Sequence, residues 1–236
     1  MPTSSTPRTI LIIGASRGLG HAMAAEFLRR GWHVVGTVRG GTTWTLLHDL
    51  ADEYPDRVGI EVLDICEPAQ LAALKQRLSG RTFDILFVNA GTTNEDPTQT
   101  IAEVSTEEFV RVMVTNALSP MRVVESLEQY VPPTGMIGIM SSGQGSVGNN
   151  ETGRREVYRG SKAALNMFMR SFAARHAGSP RAMVLMAPGW VRTDLGGPGG
   201  RYSIEECVPP LVDTLLSRQG KPGLEYLNRL GQTVPW

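Results

Sequence analysis

The chain has 236 residues with 23 basic and 23 acidic side chains, so its formal net charge at pH 7 is zero. This length favours one α/β domain, and the balanced charge gives no sign of a surface that binds nucleic acid or an acidic membrane. Cys66 and Cys207 have no partners at metal-ligand spacing, and no apolar run is long enough to span a membrane. We therefore expect a cytoplasmic protein without a metal site that binds neither nucleic acid nor membrane.

The first motif joins a buried strand to a helix through a glycine-rich turn. Residues 10–13 are branched and apolar, and Gly14, Gly18 and Gly20 follow in the pattern G-x-x-x-G-x-G. Glycines let the backbone turn sharply, and the unpaired N–H groups at the start of the next helix attract phosphate. The motif predicts a phosphate cradle, although a tight turn alone would also explain it.

A second strand, predicted over residues 32–38, ends at a basic residue. In a dinucleotide-binding fold, a carboxylate about 20 positions after the glycines binds the ribose 2′-hydroxyl. Here Arg39 stands near that place, and Arg17 lies inside the glycine loop. Because arginine pairs well with phosphate, the pattern favours NADP(H) over NAD(H). The alternative is that both arginines are solvated surface residues.

Two further strands, predicted over residues 58–63 and 83–88, each end in polar or small residues. Asp64 follows the first and could accept a hydrogen bond from an adenine amino group, cap the next helix, or do both. Asn89-Ala90-Gly91 follows the second, where small residues would let a ligand approach the backbone. The polar loop over residues 92–100 is expected to be mobile.

Strands continue to alternate with helices through the rest of the chain. A capping-box sequence at residues 105–108 predicts a long helix with Asn116 in its middle, where a helix has little local use for asparagine. The glycine-rich run at residues 196–200 is typical of a hinge or lid. We predict helices over residues 18–30, 42–54, 68–78, 105–129, 156–176 and 203–216, and later strands over residues 136–140, 181–187 and 224–227.

This alternation predicts one α/β domain over residues 1–236, built on a Rossmann-type doubly wound parallel sheet of about seven strands with helices on both faces. A substrate loop or lid is expected around residues 190–205. The predicted helix over residues 156–176 is apolar around most of its circumference, which suggests contact with another subunit.

Tyr158 and Lys162 lie four residues apart at the start of that helix and share one face. An ammonium close to a phenol lowers the phenol pKa, which would bring the tyrosine nearer to acid–base work at neutral pH. Taken alone, the pair is more simply a surface tyrosine beside a lysine, but the glycine loop, the turn at Ser142 and the strand order favour the catalytic interpretation.

Together these pieces resemble the short-chain dehydrogenase/reductase family, and within it the branch of C-factor-like proteins and small carbonyl reductases. The matching pieces are GASRGLG at residues 14–20, Asp64, Asn89-Ala90-Gly91, Asn116, Ser142, Tyr158 with Lys162, and Pro188-Gly189 with Thr193. The resemblance implies that Tyr158 exchanges a proton with the substrate oxygen, Ser142 hydrogen-bonds that oxygen, Lys162 holds the nicotinamide ribose, and Asn116 positions a relay water. Ser142 is chosen over Ser141 because of its alignment with Gly145.

The same resemblance, together with the placement of Arg17 and Arg39, implies a cofactor site formed by residues from six segments of the chain. These are Gly14, Ser16, Arg17, Gly18, Leu19, Gly20, Arg39, Asp64, Ile65, Asn89, Ala90, Gly91, Tyr158, Lys162, Pro188, Gly189, Val191 and Thr193.

Two functions remain open at this level. The first is an NADP(H)-dependent oxidoreductase acting on a small carbonyl or secondary alcohol, in a homodimer or homotetramer. The second is a cofactor-binding signalling or sensor protein of C-factor type with little turnover. A pure sensor has no need to keep Asn116, Ser142, Tyr158 and Lys162 together, so their presence favours the enzyme. An epimerase or dehydratase would need a larger substrate region than residues 194–236 provide.

Overall fold

Seven β-strands lie side by side in a parallel sheet. The computed structural model describes residues 7–40 and 42–236, so residues 1–6 and 41 of the expected domain lie outside the described residues. The strands are β1 (Thr9–Ile13), β2 (His33–Val38), β3 (Val58–Val62), β4 (Ile85–Val88), β5 (Met136–Met140), β6 (Ala182–Ala187) and β7 (Gly223–Asn228). Their order is β3-β2-β1-β4-β5-β6-β7, and every neighbouring pair is parallel. The predicted doubly wound sheet is confirmed.

Helices connect the strands and cover both faces. They are α1 (Gly18–Arg29), α2 (Leu46–Glu53), α3 (Pro68–Arg77), α4 (Thr106–Met113), α5 (Ser119–Leu127), α6 (Glu156–Arg175) and α7 (Ile204–Arg218). Helix α2 begins later than the predicted residue 42 because Thr45 caps it together with His48. Among the described helices, none combines the length and apolarity needed to cross a membrane.

The central strand β1 divides the core into two layers because its side chains alternate between the faces. Ile10 and Ile12 pack with residues of α1, α2 and α7. Leu11 and Ile13 pack on the other face with residues of α3, α5 and α6. All four are fully buried, and burial of each contributes about 1.5–3 kcal/mol, which fixes β1 at the middle of the sheet.

The single helix predicted over residues 105–129 is divided in the structure. Between α4 and α5, residues Val114–Leu118 form a π-helical turn with Asn116 at its centre. Such turns insert an extra residue and occur frequently at functional sites. The prediction of one continuous helix is therefore wrong. The Asn116 side chain in this turn forms its hydrogen bonds with other segments of the chain.

The two predicted helix starts behave differently. Ser203 and Glu206 form both bonds of a capping box at the start of α7. At α4, the Ser105 hydroxyl accepts from the Glu108 N–H at 3.1 Å, but the Glu108 carboxylate accepts from the Glu95 N–H at 2.7 Å instead of returning to Ser105. Glu108 therefore anchors the preceding loop.

The strand order reverses between β1 and β4. The chain runs outward from β1 through β2 to β3, and then from β4 to β7 on the other side. In doubly wound sheets, ligands bind beyond the carboxyl ends of the strands at this switch point. Gly14 follows β1 and Asn89 follows β4, so both lie there.

Candidate active site

The turn after β1 has the shape of a phosphate cradle. Gly14 and Gly18 adopt φ values of +88° and +57°, in the left-handed region that favours glycine. A Cβ at Gly20 would lie 2.0 Å from the Gly14 carbonyl oxygen, so only glycine fits there. The cradle therefore depends on all three glycines of the motif.

Two side chains hold this turn in place. The Thr37 hydroxyl accepts a hydrogen bond from the Gly14 N–H at 2.8 Å. Asn89 Nδ2 donates to the Gly14 carbonyl at 2.8 Å. The Asn89 side chain thus shapes the cradle, and close approach of a ligand to the backbone of residues 89–91 stays a prediction.

The start of α1 suits an anionic ligand. Its first turn has no acidic residue and receives no side-chain cap from the described residues. Its N–H groups and the helix dipole therefore favour a negative group at this position. Arg17 lies at the edge, mostly exposed, and its Nη1 is 3.3 Å from Asp194 Oδ2. Arg39 follows β2 and is also exposed.

The structure uses the residues after β3 differently from the sequence prediction. Asp64 Oδ1 accepts from the Cys66 N–H at 2.9 Å and so closes a local turn. It does not cap α3, whose N-cap residue is Glu67. The Ile65 side chain is only 6% exposed and packs in the core, which leaves its backbone as the part that could meet a cofactor.

Ser142 and Tyr158 come together beyond the carboxyl end of β5. Ser142 lies two residues after that strand, and Tyr158 lies in the first turn of α6. Their side chains lie close enough for Ser142 to lower the pKa of the Tyr158 phenol. The neighbouring Ser141 hydroxyl is buried and donates to Asn166 Oδ1 at 2.6 Å. This geometry supports the choice of Ser142 over Ser141.

The pKa of the Tyr158 phenol departs from the sequence expectation. Burial raises this pKa, while the nearby Ser142 side chain and the charge of Arg155 act to lower it. Lys162 Nζ donates to the Met140 carbonyl at 3.0 Å and lies 5.9 Å from the Tyr158 ring centroid. The predicted lowering by Lys162 is therefore wrong here, because the phenol is desolvated and the ammonium is fastened to the backbone.

Lys162 is itself buried, and burial lowers its pKa to about 8. A Cβ placed at Gly91 would lie 3.5 Å from Lys162 Nζ and 3.3 Å from Asn116 Oδ1. The small residue at position 91 therefore leaves room between two of the predicted catalytic side chains.

Asn116 is fully buried and uses its whole amide. It exchanges two hydrogen bonds with the Thr92 backbone, and Nδ2 also donates to the Ser161 hydroxyl at 2.9 Å. The Ser161 hydroxyl in turn donates to the Tyr158 carbonyl at 2.7 Å. Asn116 is thereby connected to the helix turn that carries Tyr158.

The polar loop after β4 is fastened at several points, in contrast to the mobility expected from its composition. Arg111 donates to the Thr92 hydroxyl at 3.1 Å and to the Thr93 carbonyl at 2.9 Å. Asn94 is buried and donates to the Asp96 carbonyl. These bonds, with those from Asn116, hold the loop beside the site.

The segment after β6 forms the remaining wall. Pro188 and Val191 are buried, whereas Gly189 is exposed. The Thr193 hydroxyl accepts from the Gly196 N–H at 3.0 Å, and Val191 forms a β-bridge with Tyr202. The glycine-rich segment expected to be a lid is thus a closed loop over residues 191–202, and its motion stays a prediction.

Four polar residues around the site escape the sequence analysis. Thr37 is a buried hydroxyl in an apolar strand, and Asn166 is a buried amide in an apolar helix. The Tyr226 hydroxyl donates to the Ser142 carbonyl. The polar residues within β2 and α6 are a signal that could have identified Thr37 and Asn166. Arg155, the fourth, carries no such signal because a loop arginine is ordinary.

Known proteins share this architecture. A family profile described as short chain dehydrogenase matches residues 8–200. A short-chain dehydrogenase/reductase from Burkholderia multivorans with bound NADP is 70% identical, with a TM-score of 0.96 over 98% of this chain and 100% of that one. A carbonyl reductase from Pseudomonas aeruginosa PAO1 in complex with NADP is 31% identical, with a TM-score of 0.90 over 98% and 100% of the two chains.

The C-signal protein of Myxococcus xanthus is 29% identical over 155 residues, which cover 65% of this chain and 92% of C-signal. The predicted resemblance to C-factor-like proteins and carbonyl reductases is therefore confirmed. Because the family profile spans well over half of the chain, this protein belongs to the short-chain dehydrogenase/reductase family of NAD(P)-dependent oxidoreductases.

Proposed function

We propose that this protein is an NADP(H)-dependent reductase of a small carbonyl compound, or in the reverse direction a dehydrogenase of the matching secondary alcohol. The observation that carries this proposal is the proximity of the Ser142 side chain to the buried Tyr158 phenol. The pair stands beyond the carboxyl end of the sheet, at the same edge as the glycine cradle.

The two hydroxyl groups suit carbonyl reduction. Bound NADPH would supply the hydride that the carbonyl carbon accepts. Tyr158 gives its proton to the carbonyl oxygen as negative charge develops there, and the Ser142 hydroxyl donates a hydrogen bond to the same oxygen. Because burial raises the pKa of the Tyr158 phenol, Tyr158 remains protonated at neutral pH until the oxygen needs the proton.

The remaining predicted residues would hold the cofactor or orient the segments around it. The glycine cradle and the uncapped start of α1 would bind the pyrophosphate. Lys162, fixed on the Met140 carbonyl at 3.0 Å, would hold the nicotinamide ribose. The backbone around Val191 and the Thr193 hydroxyl would hold the carboxamide. Asn116 keeps Thr92 and the start of α6 in register with them.

The preference for NADP(H) rests on Arg39 and Arg17. Both are exposed at the cofactor side of the sheet, and guanidinium groups bind phosphate in a bidentate manner. Arg17 already pairs with Asp194, so Arg39 is the stronger candidate for the 2′-phosphate. Both the Burkholderia and the Pseudomonas relative are NADP complexes, which supports the same choice.

The proposal is tested by calorimetry with NADPH and NADH, followed by NADPH oxidation against a panel of aldehydes, ketones and quinones. Tighter binding of NADPH together with turnover of a panel member is the expected result. Tight binding without any turnover would favour a cofactor-binding sensor, and absence of binding to either cofactor would contradict the proposal.

We also propose a homodimer or homotetramer formed through α4 and α6. These helices pack against each other and expose Phe109, Val110, Met167 and Phe168, of which Met167 is 60% exposed. Apolar side chains grouped on neighbouring helices suit a second copy of the chain. Light scattering after gel filtration should show an oligomer, and Met167→Glu should shift it toward the monomer.

A further inference from the structure

Arg155, the N-cap residue of α6, has an unusual backbone. Its φ of +61° makes it the only non-glycine residue with positive φ among residues 7–40 and 42–236. A large side chain adopts this conformation only where the surroundings enforce it, and such residues cluster at functional sites. The conformation therefore points to a role for the position of the Arg155 side chain.

That side chain lies between the loop after β4 and the catalytic tyrosine. Its Nη2 is 3.4 Å from the Thr93 hydroxyl, and its Cζ is 5.0 Å from the Tyr158 ring centroid. A carbonyl group held by Tyr158 and Ser142 would thus place substituents a few bonds away within reach of the guanidinium.

The guanidinium is only partly exposed and lacks a counter-charge in the described part of the chain. It takes part in none of the ion pairs formed there. Its Nε is buried without a hydrogen-bond partner. The adjacent Glu156 uses its Oε2 to accept from the Ile101 N–H at 2.8 Å. A partly buried charge without a partner is costly, so a ligand that supplies one would bind favourably.

Arg111 offers a comparison on the same loop. It also contacts Thr93, through the carbonyl at 2.9 Å, but its Nε is 2.6 Å from a Glu108 carboxylate oxygen. Arg111 is therefore neutralised within the protein and fastens the loop. Arg155 makes the weaker contact to this loop and keeps its charge available.

We propose that Arg155 binds a carboxylate of the substrate, so that the enzyme reduces oxo acids to hydroxy acids. The planar guanidinium matches a carboxylate in a bidentate manner, which a neutral carbonyl compound cannot exploit. This inference rests on the proposed carbonyl reduction and specifies its substrate class. In the reaction a C–H bond of NADPH would break and one would form at the carbonyl carbon, which oxidises NADPH to NADP+. The C=O bond becomes a C–O single bond whose oxygen takes the Tyr158 proton, and the carboxylate is unchanged.

Two other roles for Arg155 give different results. If Arg155 only clamps Thr93, its loss should lower activity equally on charged and neutral substrates. If it acts only on the ionisation of Tyr158, its loss should shift the pH profile equally for both kinds of substrate. Carboxylate binding alone requires that the effect depend on the substrate charge.

The test compares 2-, 3- and 4-oxo acids with their methyl esters, using wild type, Arg155→Gln, Arg155→Lys and the control Arg154→Gln. Arg154 is adjacent and equally charged but exposed. We expect wild type to prefer one acid over its ester by about 10- to 100-fold in kcat/KM, the range of a charge-assisted pair. Arg155→Gln should remove this preference, Arg155→Lys should keep part of it, and Arg154→Gln should keep all of it.

Calorimetric binding of the matching hydroxy acids to the NADP complex gives a readout that needs no turnover. Binding that is lost in Arg155→Gln supports the inference even if no carbonyl compound is reduced, a result that would contradict only the proposed reductase. Reduction of esters as efficiently as acids, equal losses on both in Arg155→Gln, or no binding of any hydroxy acid would overturn the role of Arg155 and leave the reductase standing wherever turnover is seen.

Discussion

The side chain of Asn116 holds the backbone of Thr92 from both sides. The Thr92 N–H donates to Asn116 Oδ1, and Asn116 Nδ2 donates to the Thr92 carbonyl, each at 2.8 Å. A third bond reaches Ser161 in α6. One buried amide thus joins the π-helical turn, the loop after β4 and the helix that carries Tyr158 and Lys162.

Asn116→Asp should be strongly destabilising. Aspartate can still accept from the Thr92 N–H, but it loses both donor bonds and places a charge in a fully buried position. We expect the free energy of unfolding in urea to fall by about 1–3 kcal/mol or more, with a lower kcat. Asn149→Asp, at an exposed asparagine, is the control. Equal stability of the two variants would contradict the role of Asn116.

Alanine at Gly20 should abolish cofactor binding, whereas alanine at Gly160 should stabilise the protein. At Gly20 the new Cβ would lie 2.0 Å from the Gly14 carbonyl oxygen, so the cradle must distort and NADPH binding should be lost. At Gly160, within α6, a Cβ meets nothing within 4 Å. Gly160→Ala should therefore stabilise the protein by about 0.5–1 kcal/mol, the usual gain in a helix interior. Thermal unfolding and calorimetry measure both effects.

Lys162 should make stability depend on pH in the alkaline range. Burial lowers its pKa from 10.5 to about 8, so between these values the unfolded chain holds a proton that the folded chain has released. The contribution of Lys162 to the free energy of unfolding is therefore lowest below about pH 8 and increases as the pH rises toward 10.5.

The difference in unfolding free energy between wild type and Lys162→Met isolates this effect. Relative to Lys162→Met, the unfolding free energy of wild type should increase by on the order of 3 kcal/mol between pH 8 and pH 10.5. Lys75→Met, at an exposed lysine, should show no such trend. A flat difference for Lys162→Met would mean that the folded lysine titrates normally.

Arg39→Asp should weaken NADPH far more than NADH. A carboxylate in this place repels the 2′-phosphate but can accept from a ribose 2′-hydroxyl. We expect the dissociation constant of NADPH to rise at least tenfold, about 1.4 kcal/mol, with NADH little changed. Arg122→Asp, at another exposed arginine, controls for net charge. An unchanged cofactor preference in Arg39→Asp would show that Arg39 does not bind the 2′-phosphate.

The sheet could be predicted from the sequence because its signals are local. The branched residues of β1 are buried on both faces, and this burial produces an unbroken apolar run that any central parallel strand shows. Gly14, Gly18 and Gly20 could likewise be predicted, because a positive φ at the first two and a close contact at Gly20 favour glycine. Helical spacing places Tyr158 and Lys162 on one face of a helix, and the family resemblance supplies their predicted roles.

Three features of the site could not be predicted because they depend on contacts between distant segments of the chain. The π-helical turn at Asn116 forms around partners in Thr92 and Ser161, which no local pattern reveals. The raised pKa of Tyr158 reflects burial by the whole fold, and spacing to Lys162 could not show it. Arg155 is a loop residue whose position beside Tyr158 is set by a left-handed backbone conformation that arginine rarely adopts.

Proton donation by Tyr158 is tested most directly by single-turnover reduction of the best carbonyl substrate. The NADPH complexes of wild type and of Tyr158→Phe are compared. Phenylalanine keeps the ring and removes only the hydroxyl that lies near Ser142. The account predicts unchanged NADPH affinity with hydride transfer slowed by about 100-fold or more, the usual contribution of a general acid. Hydride transfer at the wild-type rate in Tyr158→Phe would contradict it.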